Sequence, residues 1–275
     1  MLRRKRVYLQ HRLQQKEEMK RNLLIAKAIL AAVILAGIGC ARGMATGVDR
    51  PKLVVGIVVD QMRWDYLYRY YGLYGEGGFK RMMCEGYNCE NTMINYVPTV
   101  TAVGHTSVFT GSVPAIHGIA GNDFMMDGRM VYCCEDSTVS GVGTDGKAGR
   151  MSPRRLLSTT IADELKIATG FKAKVIGVSL KDRAAILPAG HSADAAYWMD
   201  NATGCFITST YYMKELPRWV ISFNKKYGGR SESEVSYSTY GNLVTAEMAK
   251  AAVEGEALGQ DSVTDMLTVS FSVTD

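Results

Sequence analysis

Leu53-Val54-Val55-Gly56-Ile57-Val58-Val59, closed by Asp60, is the stretch on which the fold turns. Its apolar, mostly β-branched residues run continuously instead of alternating with polar ones. Such a run predicts a parallel strand buried on both faces, because crossover helices cover both sides of a parallel sheet. Asp60 then stands at the strand's carboxyl end. In open α/β sheets the functional groups collect in the crevice beyond those ends. Read alone, a carboxylate there is either a turn or cap residue or a metal ligand.

The same logic recurs along the chain. Lys174 to Ser179, KVIGVS, reads as a second buried strand, and Met266 to Ser272, MLTVSFS, as a third. The third is followed by Val273-Thr274-Asp275, so Asp275 repeats the placement of Asp60. Ala195–Asp200 and Cys205–Thr208 are shorter strand candidates. Gln61–Tyr71, Phe79–Gly86, Tyr212–Tyr227 and Gly241–Gly255 have helical character. Ser152-Pro153 predicts a further helix start, a cap followed by proline at the first position. Its apolar residues Leu156, Leu157, Ile161, Leu165 and Ile167 lead to a stop at Gly170. Strands alternating with helices predict an α/β fold, a three-layer sandwich with a mainly parallel central sheet.

Three more features fall near predicted strand ends. In Tyr96–Gly111, YVPTVTAVGHTSVFTG, Pro98 biases Val97 toward extended backbone, and a short helix is expected from Ala102 to Thr110, stopped by Gly111. Thr101 sits at or just before the first turn, where free N–H groups favour an anion. Its hydroxyl is either a plain helix cap or a nucleophile. Gly111–Asp123 is rich in glycine and expected to be loop, and Asn122 within it is a neutral donor for an anionic oxygen or simply a turn residue. Lys181 and Arg183 project on one face if the chain is still extended there, with Asp182 on the other. Two such cations make either a phosphate clamp or a solvated charge cluster.

The 275-residue chain has a formal charge of +5, but this comes from its start. Residues 1–49 hold 10 of the 32 basic and 3 of the 27 acidic residues, leaving the rest near −2. With no basic face implied, nucleic acid is not expected as a partner. Arg3-Arg4-Lys5-Arg6, the apolar run Ala28–Gly39 and the small residues Ala41–Thr46 follow the order of a secretory signal peptide. We therefore read 1–49 as a leader and 50–275 as the exported α/β part of the chain. Met19 is an alternative start, and Cys40 or an uncleaved apolar helix would give a lipid or membrane tether. Of the remaining cysteines, Cys84 and Cys89 are the close candidates for a pair.

Val58-Val59-Asp60-Gln61-Met62-Arg63, PTVTAVGHTSVFTG, HGIAGND and SLKDRAAILPAGH together resemble the alkaline phosphatase superfamily, in its periplasmic phosphomonoesterase branch with a threonine nucleophile. The resemblance runs from about Pro51 to Asp275. It implies hydrolysis of phosphate monoesters on phosphorylated small molecules, at a site with two Zn2+ ions. Asp60 and Asp275 would be ligands to different ions, and Thr101 would attack phosphorus while bound to one of them. Asn122, Lys181 and Arg183 would hold the phosphoryl oxygens. The Lys-x-Arg pair distinguishes this branch from the related nucleotide pyrophosphatase/phosphodiesterases, which remain the alternative together with a non-catalytic truncated form. The family continues beyond Asp275 with histidines and an aspartate that complete both zinc sites. His105 and His117 match family positions outside the metal shell and, with His191, are read as structural or loop residues. The expectation is thus an N-terminal fragment that binds zinc poorly on its own and exposes apolar surface.

Overall fold

The computed structural model describes residues 50–273. The leader and Asp275 lie outside the described residues. In chain order the strands are β1 (Leu53–Val59), β2 (Asp123–Met126), β3 (Arg129–Tyr132), β4 (Gly141–Val142), β5 (Val175–Ser179), β6 (Ala195–Asp200), β7 (Cys205–Ser209) and β8 (Asp265–Phe271). Six of them form one sheet in the order β1-β8-β5-β6-β7-β4, and β2 pairs with β3 in a separate ribbon. β1, β8, β5 and β6 run parallel, while at the far side β7 pairs antiparallel with β6 and β4 antiparallel with β7. The sheet is therefore mainly parallel, as expected.

Helices cover both faces. Ile176, Val178, Ala195, Tyr197, Met199, Leu267 and Val269 pack on one side against Val220 and Phe223 of one helix (Arg218–Tyr227) and Val244 and Met248 of another (Thr239–Gly255). Ala196 and Trp198 point the other way, toward Ala102, Ile186 and Leu187. This alternation is the period-two geometry of a strand buried between two helical layers.

Glycine lets the two site-bearing helices approach the sheet closely. A Cβ on Gly56 of β1 would lie 2.8 Å from the ring of Phe109, and one on Gly177 of β5 would strike the backbone carbonyl of Ala185. Phe109 belongs to the helix that begins at Thr101, and Ala185 to the helix that begins at Asp182.

Several expectations need correction. Among the described residues β1 is not buried on both faces: it lies at the edge of the sheet, paired with β8, and Val54, Val55 and Ile57 are exposed. The helix read over 61–71 shortens to Tyr66–Arg69, with a 3-10 turn at Tyr71–Leu73, and that read over 212–227 starts only at Arg218. No helix starts at Ser152. Its hydroxyl donates to Asp136, and the helix begins instead at Ile161, where Thr160 and Asp163 form a capping box. Cys84 and Cys89 are exposed free thiols, and Cys84 lies 3.6 Å from the Tyr71 hydroxyl.

Candidate active site

Asp60 continues the β1–β8 ladder by one bond, its N–H donating to the Phe271 carbonyl at 2.9 Å, and its side chain is nearly buried. Gln61 then takes a positive φ of 56° and turns the chain away from the sheet. The ladder thus fixes the carboxylate at the strand's end.

Thr101 is the first residue of α3, as we number the helix Thr101–Thr110 after two shorter ones, α1 (Tyr66–Arg69) and α2 (Phe79–Glu85). The cap position belongs to Val100, in extended backbone with no side-chain bond to the helix. Gly111 ends the helix in the left-handed conformation, φ 62°. The Thr101 hydroxyl is not a cap: it donates to Asp60 Oδ2 at 2.9 Å. The helix start is capped from elsewhere, since the Ala102 N–H donates to Asn122 Oδ1 at 3.0 Å. Asn122 therefore uses its carbonyl half on the helix, and its amide nitrogen is the half able to donate to an anion.

The segment 181–183 departs from the strand geometry expected of it. Lys181 is extended, but Asp182 already opens a helix, Asp182–Ala189. Lys181 and Arg183 consequently point to different partners. Lys181 Nζ lies 3.6 Å from Asp60 Oδ2, while Arg183 Nη1 donates to the Tyr132 hydroxyl at 3.0 Å. Burial pushes the Lys181 ammonium down from its usual pKa, and the Asp60 carboxylate opposes that shift. Both cations line a cavity of about 520 Å³ with Tyr132, Asp182, Asp200 and Ser272.

Beneath Thr101 lies a buried polar chain. His105 Nδ1 is 2.8 Å from the Thr101 carbonyl, which can only accept, so that nitrogen carries the proton. Nε2 is 2.8 Å from Ser270 Oγ of β8, and in the neutral ring it accepts from that hydroxyl. Burial holds the His105 pKa below its ordinary value, with Asp60 pulling the other way, which favours the neutral ring. His117 bonds to Ser107, and His191 sits against Asp163 and the Leu156 carbonyl.

The structure thus brings Asp60, Thr101 and Lys181 into contact and joins Asn122 to them through the helix start. Arg183 stands further along, on the helix that Asp182 opens, and Asp275 lies outside the described residues. Asp60 and Thr101 offer oxygen donors suited to a hard or borderline cation, but two protein donors are fewer than zinc takes. Among the described residues no group of three or more His, Cys, Asp or Glu gathers to complete a shell. The sequence reading missed Tyr132, which sits in a four-residue strand without a motif.

A helix-start hydroxyl bonded to a strand-end carboxylate, with cations alongside, marks the crevice at the carboxyl ends of a parallel α/β sheet. Residues 54–275 match the type I phosphodiesterase / nucleotide pyrophosphatase family, and the chain belongs to it. It is 48% identical to alkaline phosphatase PafA of Elizabethkingia meningoseptica over 301 aligned positions, covering 90% of this chain and 55% of that protein. The crystal structure of wild-type PafA superposes with a TM-score of 0.80, over 83% of this chain and 54% of that one. Alkaline phosphatase PhoV of Synechococcus elongatus is 48% identical (83% and 50% covered), as is a calcium-transporting ATPase of Myroides odoratus (82% and 51%). The chain spans about half the length of these relatives.

Proposed function

We propose that the whole protein is an alkaline phosphatase, a metal-dependent hydrolase of phosphate monoesters that uses Thr101 as its nucleophile. The observation that carries this reading is the 2.9 Å hydrogen bond from Thr101 to Asp60, made at the start of a helix that a different residue caps. A threonine hydroxyl is a weak nucleophile, and it must lose its proton as it attacks. The carboxylate beside it accepts hydrogen bonds and attracts cations. The zinc proposed here would be held in part by Asp60 and Thr101, with Asp275 on a second ion, and would lower the hydroxyl's pKa.

The chain's own residues supply position and charge. Thr101 Oγ1 forms a bond to phosphorus as the ester oxygen leaves and is protonated to the alcohol. Water then attacks the phosphothreonine, restoring the hydroxyl and releasing phosphate. Asn122, Lys181 and Arg183 stabilise the phosphoryl oxygens through hydrogen bonds and charge. We also propose export to the periplasm, with a membrane or lipid tether as the alternative to cleavage, on the residue order of 1–49; residues 50–275 then form the catalytic domain's portion of this chain.

Initial rates of the whole protein on p-nitrophenyl phosphate and bis-p-nitrophenyl phosphate test the assignment. A phosphomonoesterase turns over the monoester faster, and Lys181→Ala narrows the difference. A faster diester rate, with a ratio untouched by Lys181→Ala, makes the protein a phosphodiesterase.

A further inference from the structure

Arg183 has a partly buried side chain whose fixation is unusual. Its Nε is buried without a hydrogen-bond partner, and Nη1 is 4.0 Å from Asp182 Oδ1, too long for a hydrogen bond. The hydrogen bond that its guanidinium makes among the described residues is the one from Nη1 to the Tyr132 hydroxyl, 3.0 Å. That phenol in turn donates to Asp182 Oδ1 at 2.5 Å. Asp182 Oδ1 also accepts the Arg183 backbone N–H at 2.5 Å, which anchors the carboxylate at the helix start. Burial and the neighbouring Asp182 carboxylate hold the Tyr132 pKa well above its ordinary value, so the phenol keeps its proton and the direction of donation is fixed.

Tyr132 comes from the β2–β3 ribbon, where it pairs with Asp123. The residue before Asp123 is Asn122, whose carbonyl oxygen accepts from the Cys133 N–H at 2.8 Å and whose side chain caps the Thr101 helix. One short ribbon therefore sets both Asn122 at that helix and Tyr132 against Arg183. We infer that Tyr132, backed by Asp182, is a positioning residue that holds the Arg183 guanidinium at a fixed distance from Asn122, so that the two groups meet one phosphoryl group together. This rests on the phosphatase reading above, in which Asn122 and Arg183 bind phosphoryl oxygens. Tyr132 touches no substrate in this scheme. Without its hydroxyl the arginine keeps its charge but loses its orientation, and a bidentate fork works through orientation.

The test is a double-mutant cycle in the metal-loaded whole protein, reading kcat/KM for p-nitrophenyl phosphate and the inhibition constant of inorganic phosphate. Tyr132→Phe is expected to lower kcat/KM about 10-fold and to weaken phosphate inhibition comparably, the scale of one charged hydrogen bond. In an Arg183→Ala background the same substitution is expected to change either quantity by less than about 2-fold. An equal loss in both backgrounds, or no loss with Arg183 present, overturns the inference and leaves the phosphatase reading standing. If Arg183→Ala alone changes nothing, the role of Arg183 in the phosphatase reading fails and this inference falls with it. Should Tyr132→Phe not accumulate as folded protein, Asp182→Asn carries the same cycle, with a smaller loss that must also vanish without Arg183.

Discussion

The Thr101 hydroxyl donates to Asp60 Oδ2 at 2.9 Å, tying the first residue of a helix to the last position of a strand ladder. Neither residue is placed by local sequence alone. The ladder to Phe271 aims Asp60, and Asn122 takes over the capping duty that would otherwise engage a helix-start threonine. The hydroxyl is thereby held against a carboxylate while the helix N-terminus beside it stays suited to an anion.

Loss of that carboxylate should therefore disable the site. Asp60→Ala in the whole protein is expected to reduce kcat/KM on p-nitrophenyl phosphate by about 100-fold or more, on the scale of losing a charge-stabilising catalytic group. Chelation of the wild type should abolish turnover, with zinc restoring it. Steady-state kinetics before and after dialysis against a chelator check both.

Helix–sheet contact at Gly177 is a second, purely structural prediction. A methyl group there meets the Ala185 carbonyl, which is backbone and cannot step aside without moving the helix that carries Arg183. Gly177→Ala should destabilise the fold by about 1–3 kcal/mol through overpacking. Gly104 is a matched control: it is helical, and a Cβ added there would meet nothing within 4 Å. Gly104→Ala should stabilise by about 0.5–1 kcal/mol from helix propensity. Chemical denaturation of both variants measures the contrast.

Acid sensitivity should centre partly on Asp136. Burial raises its pKa, but hydrogen bonds from Ser152, Thr138 and Arg154 outweigh that and bring it to about 2, below the ordinary 3.8. A carboxylate depressed in the folded state contributes stability that is present above the unfolded pKa and lost as pH falls through the folded one. The stability gap between wild type and Asp136→Asn should thus be full at about pH 5 and shrink between about pH 4 and pH 2. Denaturation curves over that range give the gap directly, and a pH-independent gap would count against the ion's role.

Much of this was legible in the sequence. The apolar runs read at 53–59, 174–179 and 266–272 became the strands Leu53–Val59, Val175–Ser179 and Asp265–Phe271, and the last two are covered on both sides as continuous apolar stretches predict. The helix at Thr101–Thr110 and its stop at Gly111 followed from Pro98 and the glycine. What failed depended on distant partners. β1 reads as a buried strand, but edge position is decided by which strands join it. Ser152 has the signature of a helix cap, yet Asp136, sixteen residues earlier, takes its hydroxyl. The Lys181–Arg183 alternation assumed an extended chain, and the helix beginning at Asp182 separates the two cations. Tyr132 reaches Arg183 across 51 residues, a pairing that no local pattern encodes.

The central claim is that Thr101 becomes covalently phosphorylated during turnover. Acid-quenching the whole protein during reaction with p-nitrophenyl phosphate, followed by peptide mass spectrometry, tests it most directly. The account predicts one added phosphate on the peptide containing Thr101, absent from Thr101→Ala, whose turnover should fall by about 1,000-fold or more. Sustained turnover by Thr101→Ala, within a few-fold of the unmodified protein, or phosphate trapped on another residue, would contradict it.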